Sequence, residues 1–209
     1  MTTASLIGLS RLRLKTDGHG VTTLVAFHGC PLHCRYCLNP QCLRSNSKTL
    51  NLSPEEVFKV LKKDELYYLA TKGGATFGGG EPLLKYDFIK KVLDLGAKEW
   101  HTTIETSLNV PLDNLESLFQ YIDEYIVDVK DMDSSTYLRY TGKDNSNVIR
   151  NLKWLIKKGK ADNIVCRIPL IPEFNTQEAQ EQSRNILQGW GVKRFDLFSY
   201  ITNKHKRQI

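Results

Sequence analysis

Four cysteines, Cys30, Cys34, Cys37 and Cys42, fall within 13 residues, and a fifth, Cys166, stands alone. An odd, crowded set suits a reducing compartment and a metal centre better than a disulfide framework. The first three have C-x3-C-x2-C spacing, and two metal chemistries compete for them. Structural zinc takes four tetrahedral ligands, commonly as two separated C-x2-C pairs. Cys34 and Cys37 make one such pair, no second exists, and Cys30 with Cys42 would have to complete the site. The alternative is an iron–sulfur cluster held by thiolates, in which three cysteines hold three irons and leave the fourth open to an outside ligand. Five cysteines exclude a second four-cysteine cluster.

Other chemically capable residues follow at regular intervals: Gly78-Gly79-Gly80-Glu81-Pro82, Glu105-Thr106-Ser107, Asp128 with Lys130, and Arg167. Plainer readings stand beside each. A glycine-rich run can be only a turn, and Glu105 a solvated strand end. Asp128 and Lys130, two apart on one strand face, can be an ordinary ion pair. Arg167, inside the run CRIPL, would be costly to bury without a partner, which favours a functional role. Cys166 reads as a small buried hydrophobe. His28 and His33 read as local polar contacts, and Trp100, Trp154 and Trp190 as anchors.

The polar groups lie on or just after predicted strands. Strands are expected at 21–27, 75–77, 101–105, 125–129, 164–170 and 194–198, where β-branched and apolar residues concentrate. Helices are expected from a Ser53-Pro54-Glu55-Glu56 capping signal, and over 86–95, 112–121, 147–158 (with Gly159 as its stop) and 177–187. Six βα units imply a parallel sheet with crossover helices, either curled into an open barrel or wound flat. Both architectures gather functional loops at the strand C-terminal ends.

The composition bounds the answer. The 209 residues are 41% hydrophobic and 25% charged, which fits one globular domain over 1–209 and excludes a disordered chain. No apolar run approaches the roughly 20 residues of a membrane span, and the N-terminus does not read as a secretory signal. A cytoplasmic location is expected. The net charge of +6 is scattered, with clusters at Arg11–Lys15, Lys153–Lys160 and Lys204–Arg207, so nucleic acid is disfavoured as a partner.

The C-x3-C-x2-C loop with Tyr36 before its last cysteine, followed by GGEP, resembles the radical S-adenosylmethionine (SAM) superfamily. The downstream order Glu105-Thr106, Asp128-Val129-Lys130 and Arg167 is similar to the enzymes that activate glycyl radical enzymes. The resemblance runs from about Leu24 to Tyr200. It implies an α/β fold, a partial (β/α)6 TIM-like barrel. It further implies one 4Fe–4S cluster on Cys30, Cys34 and Cys37, with SAM chelated to its unique iron. Gly79, Gly80 and Glu81 would line the methionine moiety, and Tyr36 with the Leu38-Asn39 backbone the adenine. Lys130 and Arg167 would lie near the cofactor carboxylate and ribose. Glu105, Thr106 and Asp128 match the family's monovalent cation site. The chemistry implied is reductive cleavage of SAM to a 5′-deoxyadenosyl radical that abstracts hydrogen.

The implied partner is a glycyl radical enzyme, with electrons from flavodoxin or ferredoxin. Radical modification of a peptide or small molecule is an alternative, and a non-catalytic zinc or nucleic-acid-binding protein is one of another class. Four departures mark the sequence. Leu38 replaces a histidine common after the third cysteine, and Tyr200-Ile201 replaces a tyrosine-histidine pair. The 35 residues between Cys42 and Gly78 hold no cysteine, so a ferredoxin-like insertion is absent. The chain ends nine residues after Tyr200, which leaves little to close the barrel bottom.

Overall fold

A computed structural model describes residues 2–14 and 17–200. Lys15, the basic cluster at Lys204–Arg207 and the Ile201 position therefore lie outside the described residues. The described residues form two compact units: those up to 31, 39–106 and 110–126 in the first, and 32–38, 107–109 and 127–200 in the second. The 13 residues from Cys30 to Cys42 are thus divided between them, six in the first unit with Cys30 and Cys42, and seven in the second with Cys34 and Cys37.

The first unit holds β1 (Ala4–Leu14), β2 (Val21–Phe27), β3 (Leu50–Leu52), α1 (Pro54–Lys62), α2 (Glu65–Thr71), β4 (Gly74–Gly79), α3 (Tyr86–Asp94), β5 (His101–Thr106) and α4 (Leu112–Leu118). Strand β6 (Glu124–Asp128) carries the chain into the second unit. The strand order there is β3-β1-β2-β4-β5-β6. Strands β2, β4 and β5 run parallel, in the register Val25–Phe77–Ile104. Their helix-facing side is apolar: Phe27 stacks on Phe77 and meets Phe88 of α3 edge-on, at centroid distances of 6.3 and 6.0 Å. Helix α1 starts as its sequence predicts. The Ser53 hydroxyl accepts from Glu56 N, and Glu56 accepts from Ser53 N, so two otherwise orphaned donors are satisfied.

The second unit contains α5 (Ser134–Thr141), α6 (Ser146–Lys157), β7 (Ile164–Leu170), α7 (Gln177–Gly189) and β8 (Arg194–Ser199), with strand order β6-β7-β8. Strands β7 and β8 are parallel. The buried Gln180 amide of α7 donates to Ile168 O of β7 and Phe198 O of β8, which locks helix to strand pair. Cys166 is fully buried in β7 and its thiol is pushed up to about 12 by burial, the inert state expected of it.

All six anticipated strands are present, and two more were not foreseen. β1 and β3 add antiparallel partners at the edge, β1 on β2 and β3 on β1. The period-2 signal of β1 is broken by register shifts between Leu6 and Gly8 and between Ser10 and Arg13, so its sidedness changes along its length. Helices α2 and α5, of 7 and 8 residues, were also too short to show a period. The turn after β1 lies over the sheet: Thr76 donates to Asp17 O, and Gly18 packs so closely on Thr103 that a Cβ there would stand 2.6 Å from its Oγ1.

One buried carboxylate ties β1 to the strands behind it. Asp64 has a fully buried side chain and accepts from Arg11 Nε at 2.9 Å, Arg11 Nη2 at 2.5 Å and Thr23 Oγ1 at 2.8 Å. The Arg11 hydrogen bond first, with help from Thr23, holds the Asp64 carboxyl below its usual range despite burial. Replacing Asp64 with alanine leaves the Thr23 hydroxyl and Arg11 without that acceptor. The expected cost is about 2 kcal/mol, read as a lower midpoint in denaturant unfolding with an unchanged slope.

Candidate functional site

In the first unit the predicted residues stand at the C-terminal ends of β2, β4 and β5. The backbone after β2 and after β4 is locked together: Gly80 N donates to Phe27 O at 2.9 Å and Glu81 N to Gly29 O at 2.8 Å. Glycine is required twice here. Gly79 has φ +94°, and a Cβ on Gly80 would stand 2.2 Å from Gly29 O. Asn39 Nδ2 donates to Gly79 O at 3.1 Å, and Gly29 N to Cys42 O at 2.9 Å. The Glu81 carboxylate, with 1% of the residue exposed, accepts from Thr106 Oγ1 at 2.7 Å and from Leu83 N at 3.2 Å. The Glu105 carboxylate lies over Gly78, whose added Cβ would meet Glu105 Oε2 at 2.9 Å.

In the second unit Asp128, at the end of β6, bridges two cations. Lys130 Nζ donates to Oδ2 at 3.0 Å and Arg167 Nε, from β7, to Oδ1 at 2.9 Å. Lys130 also donates to the Tyr200 hydroxyl at 3.4 Å. Lys130 has φ +65°, and Asp131 N donates back to Val129 O at 2.9 Å, a tight γ-turn that redirects the chain just past the strand. Burial pushes the Asp128 carboxyl up, but the Lys130 and Arg167 charges outweigh it and hold it below its ordinary value. Burial disfavours the Lys130 ammonium too, and Asp128 more than restores it, so its pKa is raised.

The cluster-loop segment of this unit, 32–38, is pinned by its backbone: His33 N donates to Thr141 O at 2.8 Å and Arg35 N to Tyr140 O at 3.2 Å. Tyr36 sits among Tyr140, Phe174 and Tyr200 at centroid distances of 6.0 to 6.3 Å and donates to Glu173 at 3.3 Å. Leu38, in place of the family's histidine, is 77% exposed. Sequence reasoning missed Tyr140, Phe174 and Glu173. They are distant in sequence from Tyr36, and nothing in their local pattern marks them. His28 makes a local contact with Arg44 O at 3.1 Å, as anticipated.

Cys30, Cys34 and Cys37 are reduced and half-buried. Burial first, opposed by the Lys130 charge, pushes the Cys34 thiol up to about 11. Three reduced thiols at C-x3-C-x2-C spacing are the donor chemistry that a thiolate-held cluster would take. Among the described residues no three His, Cys, Asp or Glu side chains converge as they would round a single metal ion.

The chain belongs to the Radical SAM superfamily, whose sequence pattern matches residues 24–182, and it is an enzyme of that superfamily. The family implies a 4Fe–4S cluster and SAM. The chain is 36% identical to a pyruvate formate-lyase-activating enzyme of Clostridium pasteurianum, over 91% of this chain and 81% of that one. It is 35% identical to a (2S)-3-sulfopropanediol dehydratase activating enzyme of Klebsiella oxytoca, over 76% of this chain and 69% of the other. Among solved structures, Streptococcus suis SuiB bound to its precursor peptide SuiA superimposes with a TM-score of 0.64 at 20% identity, covering 85% of this chain. The chain spans 38% of SuiB's length, and the likeness is one of fold. With the superfamily, it bears out the partial TIM-like barrel over the flat alternative. No described helix is long and apolar enough to cross a membrane.

Substituting Asp128 with asparagine leaves Lys130 buried beside a neutral group. The expected loss is about 2–3 kcal/mol at neutral pH. Because the folded carboxyl is held low, its contribution is intact above about pH 4 and is lost as pH falls through the folded value. Unfolding midpoints measured from pH 7 to pH 3 therefore converge between wild type and Asp128→Asn at the acid end.

Proposed function

We propose that the chain cleaves SAM reductively on one 4Fe–4S cluster and sets a glycyl radical on a large partner enzyme. When bound, the reduced cluster would supply one electron to the sulfonium, so that the C5′–S bond breaks to leave methionine and a 5′-deoxyadenosyl radical able to take a hydrogen atom from a backbone glycine of the partner. The observation that supports this reading is the C-x3-C-x2-C loop in a chain 36% identical, over 91% of its length, to a pyruvate formate-lyase-activating enzyme.

The protein's own residues hold and orient. Cys30, Cys34 and Cys37 furnish the thiolates. The Gly79–Glu81 segment lines the methionine end of SAM, where glycine lets the main chain approach closely. Tyr36 borders the adenine, steadied by the rings of Tyr140 and Phe174. Lys130 and Arg167, held on Asp128, present fixed positive charge for the cofactor carboxylate and ribose. Glu105, Thr106 and Asp128 would furnish oxygen ligands for a monovalent cation, Thr106 through its main-chain carbonyl because its hydroxyl is given to Glu81. The electron comes from a one-electron carrier such as flavodoxin or ferredoxin.

Anaerobic reconstitution with iron and sulfide, followed by dithionite and SAM, is expected to release 5′-deoxyadenosine. Adding the partner is expected to give a glycyl radical by electron paramagnetic resonance. Cys30→Ala, Cys34→Ala and Cys37→Ala should each lose iron, whereas Cys42→Ala keeps both iron and SAM cleavage. Colourless protein that binds zinc and yields no 5′-deoxyadenosine would overturn the proposal, and a peptide product without a glycyl radical would replace the partner.

A further inference from the structure

Helix α6 carries charge of one sign. Residues 145–161 contain five cations, Arg150, Lys153, Lys157, Lys158 and Lys160, and no acid. Val148, Asn151, Leu152 and Leu155 form the buried stripe of the helix, and Arg150, Lys153 and Lys157, at i, i+3 and i+7, stand on the opposite, exposed face. Cations on neighbouring elements are neutralised: Arg184 pairs with Glu181 at 2.6 Å and Lys193 with Asp162 at 2.7 Å. Among the described residues Arg150, Lys153 and Lys157 pair with no acid. Arg150 donates to the neutral Asn147 amide oxygen at 2.7 Å, and Lys153 Nζ lies over the Trp190 ring at 4.6 Å. Such contacts hold a cation in place without cancelling its charge.

The charged face runs on toward the cluster loop within the same unit. His33 N and Arg35 N donate to Thr141 O and Tyr140 O at the end of α5, and a Cβ on Gly142 would stand 4.0 Å from His33 Cβ. Exposed Lys143 follows, and α6 begins at Ser146. From Lys143 to Lys157 is at most about 27 Å, about 16 Å of it along the helix. A contact patch of about 600 Å² a side, ordinary for transient electron-transfer pairs, is about 28 Å across. One partner can therefore cover the whole row.

The geometry points to Lys143 and the outward face of α6 as the docking surface of an acidic one-electron carrier protein, which brings its redox group beside the loop of Cys34 and Cys37. The inference rests on the reductive reading above. The step served moves a single electron: the carrier is oxidised, the cluster is reduced, and no bond or proton shifts. A carrier needs closeness to the cluster loop and leaves the strand ends free for SAM and the partner's glycine. Opposite charge gives a fast encounter and a complex that parts again.

An acidic flavodoxin and an acidic ferredoxin serve as probes, with affinity for the cluster-loaded protein read by calorimetry. Binding of at least one is expected, weakening about tenfold or more as salt rises from about 50 to 300 mM. The triple variant Arg150→Glu/Lys153→Glu/Lys157→Glu is expected to lose about tenfold or more in carrier affinity and in carrier-driven 5′-deoxyadenosine formation. Its dithionite-driven rate stays within about twofold of wild type, since a small reductant needs no docking face. The glutamine triple at the same positions should show a smaller loss, and Lys59→Glu/Lys63→Glu in the first unit none. Carrier affinity unchanged in the triple variant overturns the inference, as does an equal loss of the dithionite-driven rate. Wild-type protein that binds neither carrier, or binds RNA through this face instead, overturns it too. Wild-type protein that forms no 5′-deoxyadenosine with dithionite would refute the reductive reading alone, and the carrier affinities would still decide the docking surface.

Discussion

The first unit depends on a carboxylate buried where strands end. Parallel strands leave their C-terminal ends as separate loops, and some bond must hold those loops in fixed relation for a site to exist. Glu81 does this with three bonds, to Gly29, Leu83 and Thr106, which tie the ends of β2, β4 and β5. Glycine completes the arrangement by absence of bulk: the Gly80 backbone approaches Gly29 closer than any other residue would allow. Cys30 therefore leaves a segment whose backbone is already fixed.

The second unit solves a different problem, that of keeping charge in a partly closed place. Lys130 would be expensive there alone. Asp128 neutralises it and Arg167 shares the same carboxylate, giving a three-member network in which each charge has a partner. The left-handed backbone of Lys130 is the strain accepted to place its side chain at the strand end. Positive charge beside Cys34 also favours a thiolate there, opposing the burial that raises the thiol pKa.

Much of this was legible beforehand, for identifiable reasons. The strand at 21–27 could be read because continuous β-branched and apolar residues mark a strand covered on both faces, and the helix at 54 because its caps are local. Cysteine spacing survives without a structure, since a loop that must hold one cluster constrains residues close in sequence. Strand β1 hid because bulges reverse its sidedness midway. The ring cluster of Tyr36 hid because Tyr140, Phe174 and Tyr200 arrive from helix α5 and two separate segments far along the chain.

The sequence by itself determined the chemistry class, the three thiols, the βα alternation and the polar residues at the strand ends, all carried by residue type and short-range spacing. It gave Glu81, Asp128 and Lys130 each a place beside the cofactor, with an ordinary ion pair between the last two as the plainer reading. Only the tertiary structure separated them, burying Glu81 as a tie between strands and setting Asp128 between two cations. The reason is that burial and partnership are set by segments returning from far along the chain, and no local pattern encodes where Thr106 or Arg167 will come to lie.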